Sequence, residues 1–234
     1  MPLKSLRDFP RGGVPELRNA YRYLRGAHES VSGLLDLAQS LSDSRRAANG
    51  TAMGRHSEQE VDVLRSAIVF SSSGLDASMK RLVNDAARYL IPEDTAARKQ
   101  YEQFMRQQLA ADSVDTLLKD AVVAHKAEDA LLAYYLTVRT KSSFQGSSDL
   151  KNRVCSVLGI PDKRVPESAL KVLDPFFIAR NNIIHSMDYE DVANSGGRAR
   201  HHRSIADATR RCDLAFDVAA DLMHAAAQVI VEAR

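Results

Sequence analysis

The side chains best equipped for chemistry stand together in the hexapeptide Arg180-Asn181-Asn182-Ile183-Ile184-His185. A guanidinium seeks an anion, an imidazole can exchange a proton, and an amide can hold either in place. The bare spacing of Arg and His carries little weight, since Arg22 and His28 repeat it closely. Requiring Asn directly after the Arg leaves Arg180 alone. On a helix Asn181 and His185 share a face, with Asp188 one further turn along, so the amide can orient the imidazole. Arg180 and His185, five residues apart, lie about 140° from each other round an ideal helix. Either the Arg wraps round or a second chain supplies the missing partner, which points to a paired, two-fold site.

Arg180 also sits where an apolar residue belongs. Leu170, Leu173, Phe177, Ile184 and Met187 recur at alternating spacings of three and four, and Arg180 fills the gap in that stripe. An unpaired buried charge is costly, so the guanidinium is expected to meet an anion, to extend to the rim, or to pair with a carboxylate such as Asp76 or Asp85.

Other candidates are weaker. Ser71-Ser72-Ser73-Gly74 lacks the strand-turn-helix context of an activated serine and suits close helix packing. His185, Asp188 and Glu190 bring neither a thiolate nor a second well-spaced His, and no metal site is assigned. Cys155 and Cys212 carry no zinc-like spacing and are expected as buried thiols in a reducing cytosol. From Arg198 to Arg211 there are five Arg (198, 200, 203, 210 and 211), His201 and His202, against the single acid Asp207. Such a cluster can steer a polyanion or simply be a solvated basic loop; no aromatic residue inside it offers a stacking platform.

The elements that must position these residues read as helices. Pro15 suits a first helical position, and Leu17, Tyr21, Leu24, Val31, Leu35 and Ala38 form a stripe that is expected to stop at Ser42. The capping box Ser57 to Glu60 opens a second helix running to Ile91-Pro92. A third is expected from Pro92 to about Ala111, and a fourth, capped by Asp112 or Ser113, through Val138. Residues 140–168 turn to Ser, Gly and Pro with one short helical stretch, Asp149 to Leu158. Asp174-Pro175 then starts the helix that carries the hexapeptide, and Ser204 caps a last one. No β alternation and no repeat is visible, so the expectation is an all-α helical bundle, a single domain over residues 1–234, with residues 1–56 either an N-terminal helical arm or part of the core.

Bulk properties fit this. With 44% hydrophobic, 26% charged and 6% aromatic residues the chain can close a core. Its net charge of +2 is too small to announce a nucleic-acid binder, so any such role must come from a local patch. No export segment or run of about 20 apolar residues is present, and a cytoplasmic location with no membrane association is expected.

Arg-Asn-x-x-x-His on a late helix of an all-helical chain resembles the HEPN superfamily, over roughly residues 57–234, and more loosely its RiboL-PSP type. That resemblance implies a metal-independent endoribonuclease without cofactor, of the kind found among toxins and phage-defence effectors. It implies RNA as substrate, a homodimer in which two motif copies meet and, for a toxin, a neutralising partner protein. In these terms His185 is the general base or acid for attack of a ribose 2′-hydroxyl on its phosphate. Arg180 neutralises the charge that develops, and Asn181 holds the His or the phosphate. Imidazole suits the work by its near-neutral pKa and guanidinium by its fork. Arg198, Arg200, His201, His202 and Arg203 are the expected RNA contacts. Two alternatives stand beside this: a non-catalytic module of the same fold that binds RNA or a partner protein, and an unrelated helical scaffold in which Arg180 only stabilises.

Overall fold

Helix-forming composition and strong caps produce helices throughout. The computed structural model describes residues 2–10, 13–49, 56–93, 95–190 and 199–234. Its elements are α1 (Arg18–Asn49), α2 (Glu58–Leu90), α3 (Ala96–Leu109), α4 (Thr116–Val122), α5 (Ala127–Thr140), α6 (Ser147–Leu150), α7 (Ser156–Leu158), α8 (Glu167–Lys171), α9 (Asp174–Ser186) and α10 (Ile205–Glu232). A 3-10 turn (Pro15–Leu17) leads into α1, and a π turn (Lys151–Cys155) joins α6 to α7. Among the described residues there is no strand, only the isolated antiparallel bridge between Tyr189 and Arg200. The all-α class is as expected.

The chain divides into two compact units. The first comprises Met1–Asp8, Arg22–Ala77 and Val172–Ala220, and holds the hexapeptide. Here both arms of the capping box form: the Glu60 N–H donates to Ser57 Oγ (3.2 Å) and the Ser57 N–H to Glu60 Oε2 (3.3 Å). The α1 helix does not stop at Ser42, which is fully buried, because Arg45 reaches Glu60 at 2.7 Å and ties the extra turns to α2. Nor is α1 an appended arm: Leu24, Val31, Leu35 and Ala38 are buried. At the crossing with α2, a Cβ on Gly74 would lie 2.1 Å from Ala27 Cβ, so only glycine allows that approach. Ser71 Oγ donates back to the Ile68 carbonyl at 2.9 Å, and the Ser-Gly run is a packing surface within an unbroken helix. Phe176 and Phe177 bury the start of α9, each contributing about 1.5–3 kcal/mol.

The second unit comprises Phe9–Tyr21, Ser78–Lys171 and Asp221–Arg234. Its third helix begins at Ala96 rather than Pro92, capped by Thr95 Oγ1 accepting from the Arg98 N–H. The expected long fourth helix is two, α4 capped by Asp115 and α5, interrupted where Val122 and Val123 are exposed. Tyr101, Phe104 and Tyr135 meet edge to face, with the Arg139 guanidinium 4.6 Å from the Phe104 ring centre.

By length and composition α10 could cross a membrane, yet 61% of its most apolar stretch is buried inside the fold, as in the core helix of a globular protein. Cys155 and Cys212 are free and buried; burial pushes their thiols up to about 11 and about 12.

Candidate functional site

The motif helix α9 presents two faces. Phe176, Phe177 and Ala179 are buried, while Ile178, Ile184 and His185 are exposed and Asn181 is half-buried between them. The apolar stripe expected to bury therefore sinks only as far as Phe177; Ile184 is 42% and Met187 61% exposed. Arg180 lies at the edge, half-buried. Its Nη1 donates to Asn181 Oδ1 at 2.8 Å, and its Nε is buried without a hydrogen-bond partner. Among the described residues no carboxylate pairs with it; Asp85 is engaged by Arg81 at 2.7 Å. A partly desolvated guanidinium with no carboxylate beside it favours the approach of an anion.

The Asn181 amide thus orients Arg180, not His185. His185 has no hydrogen-bond partner among the described residues and stands open to solvent in the last turn of α9. No hydrogen bond joins Arg180 to His185 on this helix, consistent with their angular separation.

Asp188 departs from the expectation that it continues this face. The helix ends at Ser186, and Met187 (φ 52°) and Asp188 (φ 64°) turn left-handed, an unfavourable conformation for non-glycine residues. That turn drives Asp188 inward, to full burial. There Arg203 grips it with two bonds, Nη2 to Oδ1 at 2.7 Å and Nε to Oδ2 at 3.0 Å, and Arg65 Nε adds a third at 2.9 Å. Burial raises the Asp188 carboxyl, but these bonds outweigh it and hold the group below the ordinary carboxylate range. Asp188 is thus fully committed to structure and is not a free metal ligand. Among the described residues no three His, Cys, Asp or Glu side chains gather in metal-ligating reach.

The basic segment is largely engaged too. Arg203, expected to meet RNA, is only 6% exposed and bound to Asp188, which corrects that expectation. Arg200 donates to the Met187 carbonyl at 2.9 Å and pairs with Asp62 at 3.0 Å. His201 is half-buried, its N–H on the Asp188 carbonyl at 2.8 Å. His202 is exposed, 6.4 Å ring to ring from His56. Arg198 lies outside the described residues. The Arg-rich run serves chiefly to strap the end of α9 to α2.

Sequence inspection missed Arg65 and Asp62, which stand on the first turns of α2 and supply this strap. Their spacing of three was visible, but their partners lie more than 120 residues away in the chain. Also missed was Tyr189, the aromatic residue just outside the basic loop, with the Arg200 guanidinium 5.8 Å from its ring centre.

Compared with known proteins, the chain matches no family model, no curated protein and no solved structure.

Proposed function

We infer that this protein is a metal-independent endoribonuclease of the HEPN type, acting as a toxin or phage-defence effector on cytoplasmic RNA. The observation that carries this reading is Arg180: a half-buried guanidinium, oriented by Asn181, that has no carboxylate partner among the described residues and lies on the same helix as the exposed imidazole of His185. A phosphodiester supplies the missing anion. His185 takes the proton of the ribose 2′-hydroxyl, or returns one to the leaving 5′-oxygen, while the phosphate charge grows against Arg180. Because one helix cannot aim both groups at one phosphorus, the site is completed by a second copy of the chain. Exposed Ile178 and Ile184 flank Asn181 and His185 and give that copy an apolar surface to cover.

A second reading has an observation in its favour: nothing among the described residues fixes the ring of His185, as a module that binds RNA without turnover would allow.

The test is incubation of the full chain with a labelled structured RNA in EDTA, followed by analysis of product ends and of sedimentation. The expected result is a dimer that leaves 2′,3′-cyclic phosphate or 3′-phosphate ends. Binding without cleavage across several RNA classes would favour the non-catalytic module.

A further inference from the structure

We propose that the cleft beside the motif, between α2 and the C-terminal end of α9, is a base-binding subsite that selects guanine; this rests on the ribonuclease reading and gives it a sequence preference. The cleft encloses about 540 Å³, within the usual range for small-ligand pockets. Its wall takes in one residue of the motif, Ile183, three residues after Arg180, and Met187, two residues after His185. Phe70 at 48% and Tyr189 at 39% exposure also line it, the Tyr189 ring with the Arg200 guanidinium 5.8 Å from its centre and the Phe70 ring open to water, next to a helix that offers a phosphate site. Aromatic faces on which a base can stack are the usual furniture of single-strand recognition.

Stacking alone does not choose a base; Asp62 does. Its Oδ1 is held by two arginines, Arg65 Nη1 at 2.8 Å and Arg200 Nη1 at 3.0 Å, while Oδ2 has no partner among the described residues. One oxygen is fixed and the other remains a free, oriented acceptor at the edge of the cleft. Ser66 and Ser73, also in the wall, spend their hydroxyl protons on the Asp62 and Val69 carbonyls and so present lone pairs. Arg65 and Arg200 also line the cleft but turn their guanidinium groups to Asp188, Asp62, Glu58 and the Met187 and His201 carbonyls. Asp62 Oδ2 and the two serine oxygens are left along this edge as acceptors. Guanine alone among the four RNA bases offers two adjacent donors, the ring N1–H and the 2-amino group. Adenine and cytosine place a ring acceptor beside their amino group, and uracil flanks its one N–H with carbonyls that a carboxylate repels.

The test is calorimetric titration of the full chain, in EDTA, with GMP, AMP, CMP and UMP. The result expected is GMP binding at least tenfold tighter than the other three, with the preference falling within threefold in a folded Asp62→Asn variant. Equal binding of all four by the wild type, no binding at all, or a preference that survives Asp62→Asn would overturn the proposal. Phe70→Ala, on an exposed position, supplies an independent check: it must weaken GMP binding at least fivefold, and a variant that loses only dimerisation would show that a second copy covers the cleft instead. Cleavage of guanine-free RNA separates this proposal from the one beneath it. His185-dependent cleavage of poly(A) with equal nucleotide binding would sink the guanine site and leave the ribonuclease standing. GMP-selective binding without any cleavage would do the reverse.

Discussion

The buried pair of arginines behind the end of α9 and the single arginine on its face do opposite things. Behind the end of α9, Arg65 and Arg203 are buried and share Asp188, with every short contact made to a carboxylate or a carbonyl. On α9 itself Arg180 has, among the described residues, an amide oxygen as its one hydrogen-bond partner, and its buried Nε has none. Charge that is matched inside the fold has its energy already committed to the fold; charge left unmatched at a surface is available to something that arrives. The contrast explains why a basic segment that looks like an RNA contact in the sequence turns out mostly to hold the motif helix in place.

Breaking the buried cluster has the largest expected effect on stability. Asp188→Ala takes the bidentate partner from buried Arg203 and one of two close carboxylates from Arg65, and is expected to cost about 3–5 kcal/mol, read as a fall in the urea midpoint. Little loss would mean that water reaches Arg65 and Arg203 and that the strap is loose. Next comes the crossing that sets α2, and with it Arg65. Gly74→Ala drives a methyl into Ala27, and overpacking of about 1–3 kcal/mol is expected to exceed the roughly 1 kcal/mol that Ala gains over Gly in a helix. A stabilised variant would show that α1 and α2 can spread without cost.

A smaller effect is confined to acid. Burial pushes the Glu60 carboxyl up, but hydrogen bonds from Arg45 and His56 more than reverse this and bring it down to about 2. Glu60 thus contributes stability above its ordinary, unfolded-chain value of 4.5, and loses it as pH falls toward 2. In the Glu60→Gln variant the stability difference from wild type should be present at pH 6 and shrink steadily below pH 4. A difference independent of pH would assign the effect to packing instead.

Much of the fold could be read from local signals. The Ser57–Glu60 box, Pro15, Pro175 and the Ser204 cap each act within four residues, so the sequence carries them whole. The break between α4 and α5 escaped because periodicity alone does not say which of two neighbouring stripes finds a partner: Leu118 is buried and Leu117 is not. At the site, Arg180, Asn181 and His185 were legible as a motif, but their surroundings were not. The left-handed pair Met187-Asp188 cannot be foreseen from two successive non-glycine residues, since Asp tolerates that conformation but Met normally avoids it. Arg203 could not be told from a surface arginine without knowing that Asp188 turns inward beneath it.

The central claim is that the face of α9 is free for chemistry while the cluster behind it is not. It is tested most directly by setting the metal-free RNA cleavage rate of His185→Ala and Arg180→Ala against their thermal midpoints. The expected result is a loss of roughly 10²–10⁴ in rate for each, with stability within about 0.5 kcal/mol of wild type. A wild-type rate retained by either folded variant, or a loss of activity that merely follows a loss of fold, would contradict it.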